Sequence, residues 1–186
     1  MVPLMSLVWP ILLSAVIVFI MSSIIHMLPL WHRSDYPGLP DEEGFRKAVG
    51  PMKIPPGDYF VPRPKGPAEM KEPAFIAKLT EGPRVMMTVL PNEHPSMGKP
   101  LAGWFVYSVV VSLVAALAAA TVLGAGTAYR VVFHTVGLVA FAGYSLALWQ
   151  ANIWFGKSLS VTVKSTVDGV IYAALTAGTF GWLWPK

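Results

Sequence analysis

Four stretches of the chain, residues 4–30, 101–123, 129–155 and 161–184, are apolar and almost free of charge. Each exceeds the roughly 20 residues with which a helix crosses the hydrocarbon of a bilayer. Residues 1–30 open without a basic run and close on Met27-Leu28-Pro29-Leu30-Trp31, too bulky for a cleavage site, so a retained anchor is expected rather than a cleaved signal. Pro10 should loosen one turn of that span. Gly124-Ala125-Gly126 ends the second span and Pro185 stops the fourth, which Lys164 and Asp168 interrupt near its start. The fold class expected is an all-α integral membrane protein: four transmembrane helices, the last three within residues 101–186, and a Pro-rich extramembrane cap, residues 31–100, between helices one and two.

The cap breaks the pattern sharply. Residues 31–100 hold 13 of the 17 prolines and 19 of the 24 Lys, Arg, Asp and Glu residues. Its apolar clusters, Tyr59-Phe60-Val61, Phe75-Ile76 and Val85 to Leu90, are not the composition of a disordered segment. Helices are expected at 41–49 and at 73–80, where Pro73 suits a first turn and Gly82 a stop. Residues 85–90 read as a short strand or an interfacial strip. Pro55-Pro56-Gly57 and Pro62-Arg63-Pro64 impose extended, rigid connections. So long a connection with little regular structure is uncommon unless it is functional. The expectation is a folded flap on the bundle mouth or against a partner, with a loose linker as the alternative.

Composition agrees with a lipid-embedded chain. Of 186 residues, 54% are hydrophobic and 13% charged, with a mean hydropathy of +0.56, whereas soluble domains carry about 25% charged residues. The net charge of +4 is not gathered into any Lys/Arg run, which argues against a nucleic-acid partner. The absence of cysteine excludes disulfides, thiolate zinc, iron–sulfur clusters and covalently attached haem. Lys and Arg concentrate on the cap side, leaving Arg130 and Lys186 opposite, so the positive-inside rule puts the cap in the cytoplasm and both termini across the membrane. Trp31, Trp104, Tyr107, Trp149, Trp154, Trp182 and Trp184 sit at expected span ends, as interfacial belts do.

Small residues recur every four positions, where helices in lipid pack closely. The ridges are Ser108, Ser112, Ala116 and Ala120; Gly143, Ala147 and Ala151; and Ser165, Gly169, Ala173, Ala177 and Gly181. They pack the helices on one another, or one ridge faces a second subunit.

Ionisable residues in spans are costly and are functional suspects. His26, with Ser22 and Ser23, ends the first span, Gln150 and Asn152 end the third, and Lys164 and Asp168 begin the fourth. All are expected on the cap side. A polar ligand-binding site of His26, Asn152, Lys164 and Asp168 is the consequence. A structural reading stands beside it, in which Lys164 pairs with Asp168 at i, i+4 or His26 bonds Asp168 and the cluster only fixes register. His26, His32, Glu93 and His94 could share a face with a metal, but their spacing matches no metal motif; no metal, catalytic residue or cofactor is expected. Trp31-His32-Arg33 reads as an interfacial anchor, and Arg130 and His134 read as snorkelling to headgroups. His134 should lie far from His26, against a bis-histidine haem within one bundle.

His26-Met27, Trp31-His32, Ser34-Asp35-Tyr36, Leu39-Pro40, Met97-Gly98-Lys99 before Trp104-Phe105, and the ending from Asp168-Gly169 to Gly181-Trp182-Leu183-Trp184-Pro185 together resemble a group of small bacterial membrane proteins of unknown function. The resemblance spans most of the chain. It implies a bacterial inner-membrane location and brings no mechanism. The leading expectation is a non-catalytic accessory or scaffold subunit of a larger membrane complex, whose partners are lipid and other subunits or copies of itself. The alternatives are a homo-oligomeric binding or transport protein for a small molecule or ion, with its polar site under the cap, and a membrane redox enzyme.

Overall fold

The computed structural model describes residues 2–28 and 31–186, so Pro29 and Leu30, the end of the expected first span, lie outside the described residues. The elements run α1 (Val8–Met27), α2 (Glu42–Val49), β1 (Gly57–Val61), α3 (Pro73–Glu81), β2 (Val85–Val89), α4 (Gly98–Val122), α5 (Tyr129–Phe141), α6 (Leu148–Phe155) and α7 (Leu159–Leu183). The chain divides into two compact units, one of Met1–Pro37 with Ser96–Lys186 and the other of Gly38–Pro95. The structure is mostly helical. Among the described residues, three helices are long and apolar enough to cross a membrane: Leu4–Met27, Gly98–Val122 and Tyr129–Phe155. They have the character of spans in a multi-pass membrane protein.

In the first unit, α1, α4, α5 and α7 form a ring in which each helix packs on two neighbours, in that cyclic order. Small side chains make the contacts close. Ser112, Ala116, Gly169, Ala173 and Ala177 are buried. A Cβ on Gly137 would stand 3.3 Å from the Ala177 Cβ, and one on Gly181 would press within 2.7 Å of the Tyr129 ring. Hydroxyls join the helices as well as methyls. Ser14 Oγ donates to Ser112 Oγ across 3.0 Å, and Trp104 Nε1 donates to Ser22 Oγ across 2.7 Å. At the opposite end Trp184 Nε1 donates to the Gly124 carbonyl at 2.9 Å. Each such bond contributes about 1 kcal/mol or less.

The third apolar stretch is not a straight helix. Between α5 and α6 the backbone widens into a π-turn, Ala142–Leu146. The extra residue rotates the helix beyond it, so Tyr144 and Ser145 are buried while Ala147, expected in the packing ridge, is exposed. Gly143 keeps its role: a Cβ there would lie 3.0 Å from Val111.

The second unit is built from local signals. Asp41 caps α2, its side chain accepting from the Gly44 N–H at 2.8 Å. Glu42 and Glu43 open that helix and Arg46 and Lys47 close it, matching its dipole. Pro73 begins α3, and Gly82, at φ +65°, stops it. Residues 85–89 form a strand, as one of the two expectations held. It pairs antiparallel with β1 in the register Gly57↔Val89 to Val61↔Val85, and Thr88 Oγ1 bonds Asp58 Oδ1 across 2.6 Å. This ribbon qualifies the all-α expectation.

Candidate functional site

The candidate site lies in the first unit, where α1 ends and α7 begins. Three segments supply it: the last turn of α1, the short stretch Trp31–Pro37, and the first turns of α7. Asp168 is the deepest member, 4% exposed on the inner face of α7. Gly169 beside it admits the π-turn, since a Cβ there would overlap Ser145 Oγ and stand 3.3 Å from the Tyr144 Cβ. The missing side chain thus seats the wide turn against α7 next to the carboxylate.

His32 is the hub. Its Nδ1 lies 2.6 Å from Asp35 Oδ2, and its Nε2 lies 2.9 Å from Asp168 Oδ2. The second contact is an ion pair only when the ring is protonated, and Nε2 is buried without a hydrogen bond. Asp35 is gripped from the other side by Lys164, whose Nζ sits 2.6 Å from Oδ1 and 3.0 Å from Ser34 Oγ. Hydrogen bonds from Lys164 and His32, in that order of effect, hold the Asp35 carboxyl below its ordinary value despite desolvation.

His26 completes the cluster. Its ring stacks on His32, with centroids 4.5 Å apart and planes within 7°. Its Nδ1 lies 2.9 Å from the Ser22 carbonyl oxygen, while the Ser22 hydroxyl accepts from Trp104. Ligand atoms of His26, His32 and Asp168 all lie within 4.8 Å of one another. Beside them opens a cavity of about 310 Å³ that Asp168 shares with Ile24, Ile25, Leu28, Trp31, Val167 and Ile171.

The expected site residues separate accordingly. His26, Lys164 and Asp168 converge, but not by the expected pairs. The carboxylate that Lys164 reaches is Asp35 and not Asp168, and the imidazole against Asp168 is that of His32. Asn152 is not drawn into the cluster: its Nδ2 donates to the Lys157 carbonyl at 2.6 Å and closes the end of α6. Glu93 and His94 belong to the second unit. His32 and Asp35 stand in the cluster without having been expected in the ligand site. Their i, i+3 spacing, an imidazole one turn from an acid, was the available signal. No protein-family model, curated protein or solved structure matches the chain.

Proposed function

We propose that the protein is a multi-pass membrane protein that binds a small molecule or an ion at the end of the bundle where α1 meets α7. One observation carries this reading: a buried carboxylate, Asp168, faces two stacked imidazoles inside a bundle that otherwise buries small and apolar side chains. An ionisable group at such a depth is costly and is retained where it acts. The apolar cavity beside it supports a ligand with both a polar and an apolar part. On this reading α7 is the fourth span. It has 25 residues and packs in the ring as the other spans do, with Lys164 and Asp168 near one membrane face. The excess of Lys and Arg in residues 31–100 supports a cytoplasmic position for that segment, and the resemblance to small bacterial membrane proteins supports a bacterial inner membrane.

The accessory-subunit reading draws less support. The small-residue ridges, for which a second subunit was the alternative to packing within the chain, are buried within the chain at Ser112, Ala116, Gly169, Ala173 and Ala177. Native mass spectrometry of the full-length protein, extracted gently from its own membrane, tests the choice. The expected result is a reproducible extra mass that Asp168→Asn loses while its fold is kept. A bare chain in fixed stoichiometry with other subunits, unchanged by Asp168→Asn, would overturn the binding reading.

A further inference from the structure

The tautomers of the two histidines are set by their partners. His26 Nδ1 faces the Ser22 carbonyl oxygen at 2.9 Å, and a carbonyl oxygen can only accept, so that nitrogen carries the proton. His32 Nδ1 faces Asp35 Oδ2 at 2.6 Å. Lys164 Nζ donates to Asp35 Oδ1 at 2.6 Å, so the Asp35 oxygens accept and His32 Nδ1 donates to Oδ2. In the neutral ring each histidine then presents Nε2 as a lone pair. A carboxylate or carbonyl that fixes Nδ1–H so that Nε2 can bind is the outer-shell arrangement of metal-ligating histidines. Asp35 is balanced by Lys164, whereas among the described residues Asp168 has no Lys or Arg in salt-bridge contact and meets the His32 imidazole.

On this basis, and resting on the binding reading, we infer that the ligand is or includes a divalent first-row transition metal ion, held by His26 Nε2, His32 Nε2 and Asp168 Oδ2. Two imidazole nitrogens and one carboxylate oxygen suit zinc and its neighbours, whereas magnesium and calcium prefer oxygen throughout. The Nε2 of His32 is buried without a hydrogen bond, as a ligand atom awaiting an ion would be. Ligand atoms about 2.1 Å from a common tetrahedral ion lie roughly 3.4 Å apart. One ligand atom from each of the three residues lies within 4.8 Å of the other two, so loading asks for a modest closure. Stacked rings must also splay for both lone pairs to converge. His26, exposed at the end of α1, has room to turn. Three protein ligands leave a coordination position for water or for a further ligand.

The test is a titration of the full-length, detergent-solubilised protein, stripped with a chelator, with Zn²⁺ and separately with Co²⁺ as a visible probe. One ion per chain is expected, with a Co²⁺ ligand-field spectrum from an imidazole- and carboxylate-bound ion. His26→Ala and Asp168→Asn should each weaken binding at least about 100-fold, and Asp35→Asn, which acts on the orientation of His32, by about 10–100-fold. His134→Ala should leave binding unchanged. Because His26 is exposed, His26→Ala keeps the inference testable even if Asp168→Asn does not fold. A featureless Co²⁺ titration, or Zn²⁺ binding indifferent to His26→Ala, would overturn the metal. If metal binding fails while native mass spectrometry still finds an Asp168-dependent organic mass, the binding reading stands and only the metal falls. If neither metal nor mass is found, both fall.

Discussion

The two ends of the bundle are built on different terms. At one end Val2, Leu7, Ile11, Ala115, Ala119, Val132, Val136, Phe180 and Trp184 pack into an apolar core. Arg130 and His134 stand at the start of α5 with exposed side chains. At the other end His26, His32, Asp35, Lys164 and Asp168 gather within a few ångströms. His26 and His134 sharpen the contrast, because locally they are alike: each ring nitrogen Nδ1 bonds the carbonyl four residues back, at 2.9 Å and 2.6 Å. That bond comes with the helix and marks no site. What distinguishes His26 is a second ring stacked on it and a buried carboxylate brought from α7, and both lie elsewhere in the sequence.

The largest test of this contrast falls on the packing beneath the polar end. Gly169→Leu should cost about 3 kcal/mol, because Ser145 and Tyr144 of the π-turn leave no room for a side chain. The unfolding midpoint in detergent measures it. Gly181→Leu at the apolar end should cost less, about 1 kcal/mol, since it meets the Tyr129 ring, which is half exposed and can swing away. Equal costs would mean that the two ends do not differ in how tightly they are held. Next in size, Ser112→Ala removes the Ser14–Ser112 hydrogen bond in mid-bundle and should cost about 0.6–1 kcal/mol by the same assay.

A pH series separates the ends in another way. The folded-state pKa of Asp35 is depressed, so its contribution to stability is fully present above the unfolded value near 4 and is lost as pH falls through the lower folded value. Lys164 and His32 face it directly, with Asp168 and His26 next in the cluster. The unfolding midpoint should therefore drop below about pH 4, and Asp35→Asn should flatten that drop. An unchanged acid limb would show that the Lys164 contact contributes nothing to stability. Smallest of all, His134→Ala should shift stability by less than about 0.5 kcal/mol. A larger loss would end the view of that residue as a surface group.

The features legible in the sequence are the local ones. Three of the span lengths, the helix expected at 41–49, Pro73 at the head of α3 and Gly82 at its end are each set by residues a few positions apart, and the structure has them where they were expected. The ridges of α4 and α7 were legible for the same reason. The π-turn was not, because no residue type demands it: it answers to Gly169, more than twenty positions away, and it displaced Ala147 from the core. Asp168, Lys164 and His26 could be singled out because charge is conspicuous in an apolar stretch. Asp35 could not, because charge is ordinary just outside one, and His32 was weighed only in a metal set with His26, Glu93 and His94 and read as an interfacial anchor. Their importance arises only when Trp31–Pro37 lies beside α7.

The π-turn also bears on how this chain can vary by insertion and deletion. A π-turn amounts to one residue added to an α-helix, so losing any one residue between 142 and 146 would restore a straight helix. Because the wide turn absorbs the extra residue, everything beyond it, Asn152 included, would keep its face relative to α5. Tyr144 and Ser145 would leave the surface that Gly169 opens to them. A relative one residue shorter here would have no need of glycine at position 169, and its carboxylate at 168 would stand against a different wall.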